Sequence, residues 1–113
     1  MDKIDEINIQ INILSKESEK AERTEYQLKL AEEALRMHVH RRTCFFDMLQ
    51  DYWQTGDMAG RIVDRKWQLQ REEQQTFDTL EEKRTAIRRQ IQELETQEDD
   101  LYRARKQAWE EIE

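Results

Sequence analysis

At 113 residues, with 40% charged and 36% hydrophobic side chains, the chain has room for one small domain. A formal net charge of -7 and a pI near 5.0 argue against a non-specific grip on nucleic acid or on an acidic membrane surface. No run approaches the roughly 20 apolar residues of a membrane span, so membrane insertion is not expected.

The mean hydropathy of -1.13 is close to that of disordered chains, but proline is absent and no low-complexity tract appears. Richness in Glu, Gln, Arg, Lys and Leu at 3.5-residue spacing points instead to long helices or a coiled coil. The opening Met1-Asp2-Lys3-Ile4-Asp5-Glu6 is acidic and reads as helix rather than as a secretory leader. The single cysteine, Cys44, excludes an internal disulfide and fits a reducing compartment. A cytoplasmic location is expected, with co-export alongside a cargo left open.

Helix 1 is expected over about residues 3–53. Ile4, Ile7, Ile11 and Leu14 start a clean heptad pattern. Ser15 to Glu25 is then almost wholly polar, with Ser18 and Glu25 on the seam, and looser packing is expected there. Leu28, Ala31 and Leu35 resume the pattern, which thickens at Phe45, Phe46, Met48, Leu49, Tyr52 and Trp53.

The stretch Trp53 to Gly60 holds both glycines of the chain, Gly56 and Gly60. Glycine after a long periodic run ends a helix because it takes positive φ without a Cβ clash. Thr55 and Asp57 are candidates to cap the helix that follows. Helix 2 is expected over about residues 58–111, through Ile62, Val63, Trp67, Phe77, Leu80, Ile87, Ile91, Leu94 and Leu101. It ends with Tyr102, Ala108, Trp109 and Ile112.

Folding back on the turn pairs Ile7 with Ala108, Leu14 with Leu101, Ala21 with Leu94, Leu28 with Ile87, Leu35 with Leu80 and Trp53 with Ile62. Partner numbers then sum to about 115, and the neighbouring seam sets Val39 against Phe77, Ile4 against Ile112 and Glu32 against Arg84. The predicted fold is all-α: one long antiparallel two-helix hairpin over residues 1–113, with its turn near 54–60.

A second stripe on helix 1, comprising Ile9, Ile13, Leu30, Ala34, Met37, Phe45 and Met48, lies off this seam. Apolar surface left over when a hairpin closes usually marks a partner site. Tyr52, Tyr102 and Trp109 join the candidate contact residues because aromatics dominate binding hot spots. Trp53 and Trp67 are expected to fill the top of the hairpin core. A homodimer covering the second stripe is the plainer alternative.

The cluster Arg36-Met37-His38-Val39-His40-Arg41-Arg42 is the first candidate for chemistry. His38 and His40 point about 200° apart on a helix and cannot share a metal. His40 and Cys44 share a face, but two ligands are too few for zinc. The basic residues should face Glu72, Glu73 and Asp78 as an ion-pair belt. Cys44, beside Phe45 and Phe46, is expected to be a packed and inert thiol. With no nucleophile–base arrangement, phosphate loop or water-excluding pocket expected, the reading is a non-enzyme without metal or cofactor.

A hairpin with a tryptophan closing helix 1 and a glycine in the turn resembles the small Trp-x-Gly substrates of type VII secretion. Here the turn reads Trp53-Gln54-Thr55-Gly56, one residue longer than their motif. Their Tyr-x-x-x-Asp/Glu export signal is not reproduced, since Tyr102 is followed by Lys106, and Trp109-x-x-x-Glu113 has the wrong aromatic. With its acidic, Glu/Gln-rich hairpin and the segment Glu98 to Lys106, the chain is similar to the second small helical partner encoded beside LXG toxins in Gram-positive type VII loci. That resemblance implies binding to a toxin's helical N-terminal domain, with or without a sister hairpin. The rival readings are a coiled-coil stalk of a flagellar or injectisome export apparatus, which predicts binding to a hexameric ATPase, and a structural homodimer, which predicts self-association alone.

Overall fold

The computed structural model describes residues 2–112, so Met1 and Glu113, with the last position of the Trp109 motif, lie outside the described residues. Two helices form an antiparallel hairpin: α1, Lys3–Tyr52, and α2, Asp57–Ile112. The start of α1 is capped by Asp2, whose Oδ1 accepts the Asp5 N–H at 3.0 Å. Asp5 and Glu6 place negative charge in the first turn, where the helix dipole favours it.

The turn has the positive-φ glycine expected from sequence but not the expected caps. Gly56 has φ +87°, and its carbonyl accepts the Gly60 N–H at 3.4 Å to open α2. Asp57 is already the first residue of α2, and among the described residues neither it nor Thr55 makes a capping side-chain bond. Gly60 lies inside the first turns of α2, and a Cβ there would meet nothing within 4 Å. The two glycines should therefore respond oppositely. Gly56→Ala is expected to cost about 1–2 kcal/mol from forced left-handed backbone. Gly60→Ala should stabilise by about 0.5–1 kcal/mol. Urea melts of the two variants check both signs.

Contacts fall into two compact units, each pairing a stretch of α1 with a stretch of α2: Met1–Gln27 with Arg84–Glu113, and Leu28–Lys83. In the first, Ile7, Ala21, Leu94 and Ala108 are buried, with Ile4, Ile11, Leu14, Ile91 and Leu101 half-buried between them. These positions step by alternating three and four residues, the spacing that keeps one stripe facing a partner helix. Each leucine-sized chain buried this way stabilises by about 1.5–3 kcal/mol. The polar stretch is bridged rather than empty: Ser18 Oγ donates to Glu98 Oε1 at 2.9 Å. Arg105 Nη1 donates to Asn8 Oδ1 at 3.1 Å, and Arg88 lies 3.7 Å from Glu25.

In the second unit Phe46 and Ile62 are buried, while Leu35, Val39, Leu49, Leu69, Phe77 and Leu80 are half-buried. Arg42, Gln50, Lys66 and Glu73 share this seam. Arg42 pairs with Glu73, and Lys66 Nζ donates to Gln50 Oε1 at 3.2 Å. The Arg36 guanidinium, held by Glu32 at 2.8 Å, lies 5.7 Å above the Phe77 ring. The cross-helix polar contacts of Ser18, Gln50, Asn8, Arg42 and Glu25 fall within about two residues of the register expected from sequence. From Leu69 through Glu73 to Phe77, two four-residue steps follow one another. Such a stutter locally unwinds a coiled coil.

Two tryptophans depart from expectation. Trp67 is 64% exposed and Trp53 42% exposed, so neither fills the hairpin core. Trp67 sits one position past the seam, which Lys66 occupies, and one residue turns a side chain by about 100°. Trp53 falls beyond the end of α1, where it packs edge-on against Tyr52 at 5.3 Å. Ile62, its expected partner, is buried in the same unit as Phe46.

Candidate partner-binding faces

The partner-contact candidates Ile9, Ile13, Leu30, Met37, Phe45, Met48, Tyr52, Tyr102 and Trp109 are all exposed. They fall in both units. Ile9, Ile13, Tyr102 and Trp109 belong to the first unit, and Leu30, Met37, Phe45, Met48 and Tyr52 to the second.

In the first unit, Ile13 lines an open groove with Leu14, Leu101, Gln10, Gln97 and Asp100. Tyr102 and Trp109 border a separate hollow along α2 with Arg105, Lys106 and Glu110. The Arg105 guanidinium covers the Tyr102 ring at 4.9 Å, which holds that aromatic surface in place. Tyr26, 61% exposed, stands in a third hollow with Glu19, Glu22 and Arg23. It was absent from the sequence reading because the residues before it are polar, although Leu30 lies one helical turn on.

In the second unit the exposed stripe on α1 runs Leu30, Ala34, Met37, Arg41, Phe45, Met48, Tyr52. Steps of three and four residues keep these side chains on one side of the helix, turned away from the seam that holds Leu35, Val39, Arg42 and Phe46. Phe45 meets Phe46 edge-on at 5.9 Å, so exposed stripe and buried core touch at this point. Exposed Met58, Val63 and Trp67 on α2 enlarge the apolar surface of the same unit.

Cys44 is exposed, not packed. It lies two residues past the seam position Arg42, and its Sγ is 3.9 Å from His40 Nε2. Among the described residues no group of three or more His, Cys, Asp or Glu is placed to hold a metal ion. No described helix is long and apolar enough to cross a membrane. The basic cluster divides by helical position: Arg42 is drawn into the seam and Arg36 is tied to Glu32 and Phe77, while Arg41 points away from both.

The family model described as a protein of unknown function, DUF3958, matches residues 2–108. The chain belongs to that family. No curated protein and no solved structure matches it. The DUF3958 match takes in both seams and the whole stripe from Leu30 to Tyr52, and leaves Trp109 just outside.

Proposed function

We propose that this chain is a non-enzymatic adaptor, a targeting chaperone for a helical client. It works in the cytoplasm by burying its off-seam apolar stripe against the client, with charge pairs setting register. The observation that carries this reading is the exposure of Leu30, Met37, Phe45 and Met48 on one side of a helix whose other side is already buried. A surface of that kind is usually retained for a partner. The acidic, Glu/Gln-rich hairpin and the segment Glu98 to Lys106, which resemble the second small helical partner of LXG toxins, support a narrower client. It is the helical N-terminal domain of a type VII secreted toxin, bound with or without a second small hairpin.

Co-expression with such a toxin domain and the small hairpin encoded beside it tests the proposal. A stable complex is expected by size-exclusion chromatography, with Phe45→Asp or Met37→Asp weakening it by about 30-fold or more, as for a hot-spot residue. A folded chain that binds neither protein would refute it.

A further inference from the structure

The stripe on α1 of the second unit reads the same from either end. Leu30, Ala34, Met37, Arg41, Phe45, Met48 and Tyr52 are separated by four, three, four, four, three and four residues, with Arg41 at the centre. Such a face fits a copy of itself by shape, since an antiparallel copy sets Leu30 against Tyr52, Ala34 against Met48 and Met37 against Phe45. Charge opposes that fit. In the antiparallel arrangement Arg41 meets Arg41 on the two-fold axis, and in a parallel in-register pair it meets Arg41 again. Juxtaposed like charges select against a partner.

No relief comes from nearby residues. Between Glu33 and Asp47 the helix carries no acidic side chain, so α1 of a second copy brings no carboxylate to the middle of the stripe. Within the chain, Arg42 is committed to Glu73 and Arg36 to Glu32. The exposed Arg41 guanidinium makes no ion pair or hydrogen bond among the described residues.

We infer that this stripe takes one helix of a different protein, with apolar residues at the same spacing and a single Asp or Glu opposite Arg41. A carboxylate there would pair with a guanidinium flanked, one helical turn away on either side, by Met37 and Phe45. The partner's burial would then exclude water from a charge-assisted bond. Arg41 thus serves as the specificity element of an otherwise self-complementary face, discouraging homodimers and selecting an acidic partner. The inference rests on the adaptor reading above and defines the chemistry of its client.

The chain itself supplies the probe. An Arg41→Glu variant keeps the apolar spacing and places a carboxylate at the centre. Sedimentation velocity of amino-terminally labelled wild type, titrated with unlabelled wild type or Arg41→Glu, compares the two partners. The mixed pair is expected to associate at least about tenfold more tightly than either protein with itself, as charge complementarity sets partner choice. Phe45→Asp in either chain should remove the gain. Arg41→Gln, which removes the repulsion alone, should self-associate more tightly than wild type. Equal association in all mixtures overturns the inference. So does a wild-type dimer as tight as the mixed pair and broken by Phe45→Asp, because a second copy would then be the occupant. A chain that binds a toxin domain through Phe45 yet shows no preference at position 41 would sink this inference alone and leave the adaptor reading standing.

Discussion

Arg42→Ala is expected to destabilise the hairpin by about 1–3 kcal/mol, between the loss at an exposed ion pair and that at a fully buried one. Arg42 and Glu73 are paired on the seam with side chains only 14% and 12% exposed. Without Arg42, the Glu73 carboxylate stays beside Leu69 and Phe77 with no cation one helical turn away on either side. Its side chain is too short to reach water easily. Glu73→Ala should cost less, because a stranded arginine can extend its stem along the apolar surface and carry its charge to solvent. Replacing both by leucine is expected to be neutral, or to stabilise by up to about 4 kcal/mol. Guanidinium melts followed by circular dichroism would rank the three variants. An Arg42→Ala loss under about 1 kcal/mol would mean that the pair behaves as an exposed one.

If the double leucine variant is as stable as the parent, the ion pair must be retained for something other than stability. Its position suggests register. A two-helix seam of aliphatic residues alone can slide by a heptad and still bury its stripe, whereas a charged position in the seam tolerates one alignment. Ser18 with Glu98, and Gln50 with Lys66, place further polar contacts at intervals along the hairpin. A slip of seven residues one way would set Arg42 against Leu80 and Glu73 against Leu49, and the other way Arg42 against Lys66 and Glu73 against Leu35. The stutter between Leu69 and Phe77 adds a geometric constraint, because the α1 pattern opposite it keeps strict heptad spacing.

The hairpin was legible because its signal is redundant: many seam positions repeat one spacing, and Gly56 marks the single place where it stops. Single positions were harder. Trp67 looks like core by residue type, yet the seam holds its neighbour Lys66, and nothing in local composition marks a lysine as the half-buried member of the two. Cys44 poses the same difficulty, since buried Phe46 and exposed Cys44 are only two residues apart. The basic run from Arg36 to Arg42 reads in sequence as one belt, but helical geometry sends its arginines in three directions. Only the cross-helix contacts show that Arg42 enters the seam while Arg41 faces out. The exposed stripe was readable as apolar surplus, whereas the identity of its occupant depends on a molecule whose sequence this chain does not contain.

Phe45 and Phe46 offer the sharpest separation of fold from function. Phe46→Ala should cost about 3–5 kcal/mol, since it removes a buried aromatic and leaves a cavity that a thin two-helix core cannot refill. In a domain of this size that corresponds to a fall in Tm of roughly 15 °C or more. Phe45→Ala, one residue away and 55% exposed, loses only the edge contact with Phe46 and should cost about 1 kcal/mol or less. Binding should invert the order: at a temperature where both variants remain folded, Phe45→Ala loses the client while Phe46→Ala keeps most of its affinity. Thermal melts and client titrations on the same two proteins give four numbers. Equal destabilisation by both would mean that Phe45 belongs to the core, and that the stripe ends short of it. Unchanged binding by Phe45→Ala would move the client to another face, and the hollow of Tyr102 and Trp109 would then be the next surface to mutate.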